Sequence, residues 1–336
     1  MEVHDLVIVG AGSAGLSAAI NGASELASVA LFDSGKKDAS GVRQAIIGGQ
    51  AIGSTSIENY AGFPDGVTGI DLIDRFQRQA LKFGTKLYCP NRVESISLNP
   101  NGTKTLVTKE GLEVSAKAVV VASGLSYKKL AAPGVIEFLG RGVLYGAPTS
   151  NPNELGDCTV CVVGAANSAG QAVLHLAKNP RIKIKVLVRS TEGLEVSMSQ
   201  YLLDRIKQLP NVEVLTGVEV TKVSGSDFLS EIELTHQTDK TKSTLLCTQH
   251  LFIFIGAVPK VEWLEGKVVM DPKKFIVTGV ELGTFNGKRR PFETSMPGVF
   301  AAGDIRFGSI KRVASAVGEG AQAVSWVHNY VSGESF

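Results

Sequence analysis

The sequence Asp5-Leu-Val-Ile-Val-Gly10-Ala-Gly-Ser-Ala-Gly15 joins a short apolar run to a glycine-rich turn. An apolar run of this length is typical of a strand buried in a parallel sheet. Small residues from Leu16 to Ala27 then favour a helix, and a second apolar run, Val29-Ala-Leu-Phe32, ends at Asp33. The order of strand, glycine turn, helix, strand and acid predicts a βαβ unit.

The glycines of this turn have separate physical roles. Gly10 permits a tight turn, Gly12 lets backbone N–H groups approach a pyrophosphate, and Gly15 lets the helix pack closely on the strand. Asp33 follows Gly15 by 18 residues, a spacing at which its carboxylate can accept both hydroxyls of an adenosine ribose. The unit therefore predicts a dinucleotide site, the alternative being a plain glycine turn.

The same plan recurs 154 residues later in the chain. A strand at 158–163 is followed by Gly164-Ala-Ala166-Asn-Ser-Ala169, a helix predicted from Gly170 to Lys178, and a strand that ends in Arg189. Ala166 replaces the middle glycine, so its methyl group is expected to crowd a pyrophosphate. An arginine at the strand end suits a 2′-phosphate and favours NADP. A surface arginine is the alternative interpretation, and the nearby Glu192 counts against the NADP preference.

The composition narrows the class of protein. The 336 residues are enough for about two domains, and 44% hydrophobic residues with 20% charged residues exclude a disordered chain. Lys and Arg number 34 against 32 acidic residues, with no basic block, so nucleic acid is not an expected partner. Four cysteines do not make a secreted disulfide framework. Without a signal-peptide pattern or an apolar run of membrane-spanning length, the expectation is a cytoplasmic protein with no membrane span.

Further motifs follow in a fixed order. They are Ile47-Gly-Gly-Gln50, Glu58-Asn-Tyr-Ala-Gly-Phe-Pro64, Val121-Ala-Ser-Gly124, Gly140-Arg-Gly-Val143, Ala301-Ala-Gly-Asp304 and Lys311-Arg-Val-Ala-Ser-Ala-Val-Gly-Glu-Gly320. With the two glycine turns, they make the chain resemble the low-molecular-weight thioredoxin reductase family of FAD-dependent pyridine-nucleotide disulfide oxidoreductases over essentially its whole length.

The resemblance implies an α/β fold of two Rossmann-like three-layer dinucleotide-binding domains, the second inserted into the first. The FAD-binding domain is predicted at residues 1–126 and 251–336. The inserted domain, for a pyridine nucleotide or a second flavin, is predicted at residues 127–250. The resemblance also implies a homodimer.

Site residues are carried over from the same resemblance. Asp304 would hydrogen-bond the FAD ribityl chain, the alternative being a helix-capping or turn aspartate. A helix opening at Arg312 and Val313 would face the flavin N1/O2 edge and stabilise the reduced anion. The implied FAD contacts are Gly10, Gly12, Ser13, Ala14, Gly15, Asp33, Gly49, Gln50, Asn59, Val93, Gly124, Gly303, Asp304, Arg312 and Val313. The implied contacts to NADPH, NADH or a second FAD are Gly164, Ala166, Asn167, Ser168, Ala169 and Arg189.

The chain departs from the family pattern at one place. The family has a Cys-x-x-Cys disulfide after the segment that corresponds to Gly140–Tyr145, whereas this chain reads Gly146-Ala-Pro-Thr149. Residues three apart on the predicted strand, such as Cys158 and Cys161, face opposite sides and lie ~10 Å apart, too far for a disulfide. Cys161 is therefore interpreted as a buried structural residue. The candidates for thiol chemistry are Cys89, Cys158, Cys161 and Cys247, and the five histidines show no metal-ligand spacing.

Three functions are compatible with these features. The favoured one is an oxidoreductase that moves electrons between NAD(P)H, FAD and an acceptor or donor such as a ferredoxin-like protein, a quinone or an external disulfide, with the flavin itself as the catalytic group. The alternative is a diflavin-linked disulfide oxidoreductase, with a second FAD in the nucleotide site and a non-standard cysteine pair. The third is a non-catalytic flavin-binding redox sensor.

Overall fold

A computed structural model describes residues 3–37, 43–54, 57, 59–146, 152–240, 243–283 and 290–334. The α-helices are α1 (Ser13–Glu25), α2 (Gly69–Lys82), α3 (Asn167–Leu176), α4 (Gln200–Lys207) and α5 (Val313–Val331). The strands are β1 (Val3–Val9), β2 (Val29–Phe32), β3 (Lys36–Lys37), β4 (Arg43–Gln44), β5 (Lys86–Tyr88), β6 (Val93–Leu98), β7 (Lys104–Thr108), β8 (Glu113–Val121), β9 (Leu125–Tyr127), β10 (Val143–Tyr145), β11 (Thr159–Val163), β12 (Lys183–Val188), β13 (Val212–Thr216), β14 (Val218–Gly225), β15 (Leu229–His236), β16 (Ser243–Cys247), β17 (His250–Ile253), β18 (Ala257–Pro259) and β19 (Val299–Ala301).

Two compact units divide the chain. The first comprises Met1–Ser126 together with Val258–Phe336, and the second comprises Tyr127–Ala257, so the second is inserted into the sequence of the first. Strand β17 hydrogen-bonds to β10 and β11 within the second unit. That unit therefore reaches Ala257 rather than the predicted boundary at residue 250.

The first unit is built on a sheet with the strand order β5-β2-β1-β8-β7-β6. Strand β1 is parallel to both β2 and β8, and the late strand β19 runs parallel to the second half of β8. Helices α1 and α5 pack on one face of this sheet, where Leu6, Ile8 and Val120 are fully buried. Burial on both faces is why these strands read as continuous apolar runs.

The second unit repeats this plan on a smaller scale. Its five-stranded sheet is parallel, with the order β10-β17-β11-β12-β13, and a separate antiparallel sheet has the order β14-β15-β16. Helices α3 and α4 pack on one face, against Val160, Val186 and Phe252. Residues of β14 and β15 cover the other face. Both units are mixed α/β with Rossmann-like sheets, which confirms the predicted fold class.

The helices after the two glycine turns begin earlier than predicted. Helix α1 starts at Ser13 rather than Leu16, and α3 starts at Asn167 rather than Gly170 and ends at Leu176 rather than Lys178. The turn residues themselves form the first helical turn, because the glycine-rich sequence must bring the helix start directly onto the strand end. Among the described residues, no helix is long and apolar enough to cross a membrane.

Candidate functional site

The first glycine turn lies between the end of β1 and the start of α1. Gly10 has φ +107°, and a Cβ on it would lie 2.4 Å from the backbone oxygen of Ala122. A Cβ on Gly15 would lie 1.7 Å from the Gly10 oxygen, so no larger residue fits there. Gly12 differs, since a Cβ on it would meet only the Cα of Gly49, at 3.9 Å. The sequence therefore leaves open space at the start of α1, where a pyrophosphate would approach.

Among the described residues, no side chain caps this start of α1. Gly12 is the N-cap residue, it supplies no side-chain hydrogen bond, and the first turn carries no acidic residue. The N–H groups of a first helical turn have no partner within the helix, and the helix dipole makes this end attractive to anions. Ser13 and Ala14, two of the predicted FAD contacts, belong to this turn and are buried.

Asp33 follows β2 and is held by the backbone around it. Its Oδ2 accepts a hydrogen bond from the N–H of Ala11 at 2.7 Å, and its Oδ1 accepts one from the N–H of Gly35 at 2.8 Å. A carboxylate oxygen can accept two hydrogen bonds, so each oxygen of Asp33 keeps one acceptor position for a ribose hydroxyl. The same bonds fix the direction of the carboxylate beside the glycine turn.

The segment with Gly49 and Gln50 closes over the glycine turn. The N–H of Gly48 donates to the oxygen of Ala11 at 2.8 Å, and a Cβ on Gly49 would lie 3.4 Å from the Cα of Gly12. The Gln50 side chain donates from Nε2 to the oxygen of Leu125 at 3.1 Å. Two glycines therefore face each other, and a side chain on either would fill the space between them.

The last strand of the sheet brings a second group of residues to this turn. After β19 the chain forms a 3₁₀ turn at Gly303–Ile305, in which Gly303 has φ +79°. A Cβ on Gly303 would lie 2.8 Å from the Cβ of Ala14, in the first turn of α1. Asp304 is therefore placed beside the start of α1, although about 290 residues separate them in sequence.

A buried ion pair holds the turn that carries Asp304. Glu319, on α5, is 8% exposed. Its Oε2 accepts from the N–H of Gly303 at 2.7 Å and from Nε of Arg306 at 3.1 Å, and its Oε1 accepts from Nη2 of Arg306 at 2.7 Å. Bidentate guanidinium–carboxylate bonds of this kind fix geometry as well as charge. Glu319 therefore fixes the position of the turn.

The electrostatic surroundings of Asp304 differ from those of an ordinary surface aspartate. Burial raises the pKa of Asp304, the charge of Glu319 raises it further, and Lys311 lowers it. Lys311 also donates from Nζ to the backbone oxygen of Asp304 at 2.8 Å. The Asp304 carboxylate itself has no hydrogen-bond partner within the described residues. A partly desolvated acceptor without a protein partner is suited to a ligand hydroxyl.

Helix α5 starts next to this turn. Arg312 is its N-cap residue, no side chain caps it, and its first turn contains no acid. The helix packs closely on α1, since a Cβ on Gly320 would lie 2.2 Å from the oxygen of Ala14, and Ser17 Oγ donates to the oxygen of Val317 at 2.7 Å. Two uncapped helix starts, at Gly12 and Arg312, thus belong to one part of the first unit.

These residues fit an FAD molecule. The open space at Gly12, the fixed Asp33 carboxylate and the unpartnered Asp304 match its pyrophosphate, adenosine ribose and ribityl chain.

Two predicted contacts stand apart from this set. Val93 lies on β6 and is 4% exposed, so its side chain packs in the core. Asn59 is exposed in a turn. Gly124 has φ +65°, and its carbonyl oxygen accepts a hydrogen bond from the N–H of Lys260 at 3.1 Å.

The second glycine turn repeats the first with one change. Gly164 has φ +146°, and a Cβ on it would lie 2.6 Å from the oxygen of Phe254. Ala166 stands at the N-cap position of α3, the place that Gly12 has before α1. Its methyl group therefore occupies the space that stays open at Gly12. The Asn167 side chain accepts from the N–H of Ser199 at 2.8 Å, which ties the start of α3 to the start of α4.

The remaining residues predicted for the second nucleotide are less constrained. Ser168 is exposed and Ala169 is buried in the first turn of α3. Arg189 follows β12 and is exposed, with no ion pair among the residues that the structure describes. Its side chain is therefore available to an anion at the end of β12.

The four cysteines are all free and lie in separate surroundings. Cys161 is fully buried among residues on one face of the second unit's sheet, whereas Cys158 packs with the cluster on the other face. Burial raises the pKa of Cys161 to about 11 and also raises that of Cys158. Cys89 belongs to the first unit, where burial raises its pKa to about 11, and Cys247 is exposed on β16. Protonated thiols react slowly as nucleophiles.

Two features of the site were not predicted from the sequence. Glu319 and Arg306 were not identified. The sequence did contain a signal for them, since a glutamate stands among the small and apolar residues of 313–324. A buried charge requires a partner. Within the described ranges, no group of three His, Cys, Asp or Glu residues is placed to hold a metal ion.

Comparisons with known proteins agree with this architecture. The family model "Pyridine nucleotide-disulphide oxidoreductase" matches residues 4–320. The thioredoxin reductase of Chlamydia trachomatis serovar D is 30% identical over 322 residues, covering 95% of both chains. The bifunctional thioredoxin reductase/thioredoxin of Mycobacterium leprae is 31% identical over 96% of this chain, which spans 64% of that protein.

Solved structures give the same result. The crystal structure of T. acidophilum thioredoxin reductase superposes with a TM-score of 0.71 at 26% identity, covering 98% of this chain and 99% of that one. Thioredoxin reductase from Streptococcus pyogenes MGAS5005 gives a TM-score of 0.70 at 27% identity with the same coverage.

Proposed function

The chain belongs to the pyridine nucleotide-disulphide oxidoreductase family, and we propose that it is an FAD-dependent oxidoreductase that transfers electrons between NAD(P)H and a partner other than an internal Cys-x-x-Cys disulfide. The observation that carries the proposal is Asp304, a partly buried carboxylate that has no hydrogen-bond partner among the described residues. It lies beside the start of α1, where the open space at Gly12 is found.

The residues of the first unit have separate roles in this proposal. Bound FAD would supply the hydride and electron chemistry, as flavin cofactors do. Asp33 would orient the adenosine ribose through the acceptor positions left by its two backbone bonds. The N–H groups after Gly12 would bind the pyrophosphate. Asp304 would accept from the ribityl chain, and the uncapped start of α5 would favour negative charge on the reduced ring.

The second unit would bind the pyridine nucleotide. The turn at Gly164 repeats the geometry of the turn at Gly10. The methyl group of Ala166 would displace the pyrophosphate from the position it has at a glycine, which lowers affinity. The exposed Arg189 would bind a 2′-phosphate, so NADPH is preferred over NADH in this proposal.

The cysteines support a route that uses no internal disulfide. Residues 146–149 read Gly-Ala-Pro-Thr, of which 147–149 lie outside the described residues. Cys158 and Cys161 are the remaining pair with the Cys-x-x-Cys spacing, and they face opposite sides of one sheet with raised thiol pKa values. The partner is therefore proposed to be an external molecule such as a ferredoxin-like protein, a quinone or a disulfide.

A visible spectrum and a flavin count of the purified protein test the cofactor. We expect a yellow protein with one FAD per chain, bleached anaerobically by NADPH more readily than by NADH. Two flavins per chain would instead support a second FAD in the inserted unit. Asp304→Asn should lower FAD content, whereas Asp65→Asn, on an exposed turn of the same unit, should not. A colourless protein that FAD cannot reconstitute would contradict the proposal.

The electron route needs a separate assay. NADPH oxidation should proceed with ferricyanide or a quinone as acceptor, and the Cys158→Ser, Cys161→Ser double variant should retain that activity. Thioredoxin should be reduced slowly or not at all. Rapid thioredoxin reduction that the double variant loses would show that these two cysteines carry the electrons.

A further inference from the structure

A groove of about 400 Å³ lies between α3 and α4 on the surface of the second unit. Helix α3 contributes Asn167, Gln171, Leu174 and His175, followed by Lys178 just after its end. These positions are spaced by three or four residues, so they form one continuous face of the helix. The opposite wall comes from the start of α4 and consists of Ser199, Tyr201, Leu202 and Arg205. The volume is within the range of small-molecule sites.

The charges that line this groove have one sign. Lys178 and Arg205 are cationic, and the imidazole of His175 also lines the groove. Among the described residues, no carboxylate lines the groove. Lys178 has no ion pair in the described part of the chain. Like charges that share a concave surface repel each other, and an anion between them would relieve the repulsion.

The other lining groups suit a ligand with an apolar part. Leu202 is buried, Leu174 is half-buried, and the Tyr201 ring is 64% exposed. Arg205 lies over that ring, 5.4 Å from its centroid, and donates to its hydroxyl. This contact holds the guanidinium at the wall of the groove. Less conformational entropy of the Arg205 side chain is therefore lost when a ligand binds.

A second cavity, of about 250 Å³ in the first unit, shows why the groove is the stronger candidate. That cavity also contains basic residues, but Arg306 is bound to Glu319 and Lys311 to the oxygen of Asp304. Asp271 lines it as well. Of the cations in this cavity, Arg306 and Lys311 are therefore already engaged and Lys273 shares the lining with the Asp271 carboxylate, whereas Lys178 has no ion pair among the described residues.

We propose that the α3–α4 groove binds a small anion that carries an apolar ring, of the aryl phosphate or aryl carboxylate class. Lys178 and Arg205 bind the anionic group, and Leu174, Leu202 and Tyr201 contact the ring. The groove shares Asn167 with the proposed pyridine-nucleotide turn at the start of α3, but Lys178 lies just after the other end of that helix and Arg189 does not line the groove. The binding of the anionic group therefore does not rest on the proposed function.

Phenyl phosphate tests this site, with ligand-observed ³¹P NMR line broadening on the purified protein as the measurement. We expect phenyl phosphate to bind, and inorganic phosphate, observed directly, and phenol, added as a competitor of phenyl phosphate, each to bind about tenfold more weakly or not measurably. Lys178→Ala and Arg205→Gln should each weaken binding by roughly tenfold, the loss expected for one charge-assisted contact. The Gln side chain keeps hydrogen-bond donors, so it removes the charge with little change in volume.

Two matched variants distinguish the groove from other basic surfaces. Lys222→Ala removes an exposed lysine on β14 of the same unit, and Arg189→Ala removes the basic residue of the proposed nucleotide turn. Both should leave phenyl phosphate binding unchanged, and circular dichroism should show all variants folded. The proposal is overturned if phenyl phosphate does not bind at millimolar concentration. It is also overturned if binding survives in folded Lys178→Ala and Arg205→Gln proteins, or is lost with Arg189.

Discussion

A fully buried lysine gives the first unit a distinctive pH dependence. Lys104, on β7, is 0% exposed. Its Nζ donates to the oxygen of Lys117 at 2.7 Å and to the hydroxyl of Tyr330 at 3.1 Å. Burial lowers the pKa of Lys104 from 10.5 to about 8, and the nearby Glu293 carboxylate opposes this shift. Arg290 is the other charged group of this cluster, 5.5 Å from the Tyr330 ring.

The sign of the effect follows from proton binding in the two states. Between pH 8 and pH 10.5 the unfolded chain keeps the Lys104 proton, whereas the folded chain has lost it. The unfolded state then binds more protons, so the free energy of unfolding rises with pH over this window. A pKa difference of this size corresponds to at most about 3 kcal/mol, and dielectric relaxation reduces it to roughly 2 kcal/mol.

Lys104→Met should remove this rise. The difference in the free energy of unfolding between the wild type and the variant is expected to increase by roughly 2 kcal/mol from pH 7.5 to pH 10. Other titrating groups contribute equally to both proteins and cancel in this difference. Urea unfolding followed by tryptophan fluorescence is a suitable assay, because Trp263 and Trp326 both belong to the first unit.

The control is Lys109→Met, which removes an exposed lysine one residue after β7. Its unfolding curves should follow those of the wild type at every pH. Parallel pH dependences for wild type and Lys104→Met would refute the assigned pKa and show that the buried amine keeps its proton throughout.

Three other changes test the sites. Gly12→Ala should lower FAD affinity by at least tenfold, because its methyl group would enter the open space at the start of α1. Gly318→Ala is the control, since nothing described lies within 4 Å of a Cβ on Gly318, and it should leave FAD content unchanged. Equilibrium dialysis measures both. Glu319→Gln should destabilise the protein by about 3 kcal/mol, because it removes the carboxylate charge and leaves the charge of Arg306 without its partner, and an unchanged melting temperature would contradict this. Arg189→Ala should raise KM for NADPH about tenfold and leave KM for NADH unaltered in steady-state kinetics.

The sequence alone was sufficient for the repeated strand–turn–helix plan. The apolar run 5–9 and the spacing of Gly10, Gly12 and Gly15 are local features, and the structure places β1, the turn and α1 in that order. Local patterns were less reliable at helix ends. The last residues of both turn sequences are helical: Ser13 to Gly15 begin α1 and Asn167 to Ala169 begin α3. Packing of the helix start on the strand outweighs the low helix propensity of serine, glycine and asparagine.

The candidate site divides in the same way. The position of Asp33 could be predicted from its place at a strand end, whereas that of Asp304 came from the family resemblance. The homodimer, the cytoplasmic location and the identity of the electron partner remain predictions. The salt bridge between Glu319 and Arg306 could not be predicted in detail. Its members are 13 residues apart and meet only because α5 folds back over the turn at Gly303.

Local sequence patterns were enough to predict the two βαβ units and the glycines of their turns, since these depend on apolar periodicity and on the absence of a Cβ. Which distant groups share one environment depended on the three-dimensional fold. The fold buries Lys104 beside Glu293, separates Cys158 from Cys161 on two faces of a sheet, and places Lys178 in a groove that no carboxylate of the described residues lines. The physical reason is that burial and charge pairing depend on three-dimensional neighbours, which the order of residues along the chain does not specify.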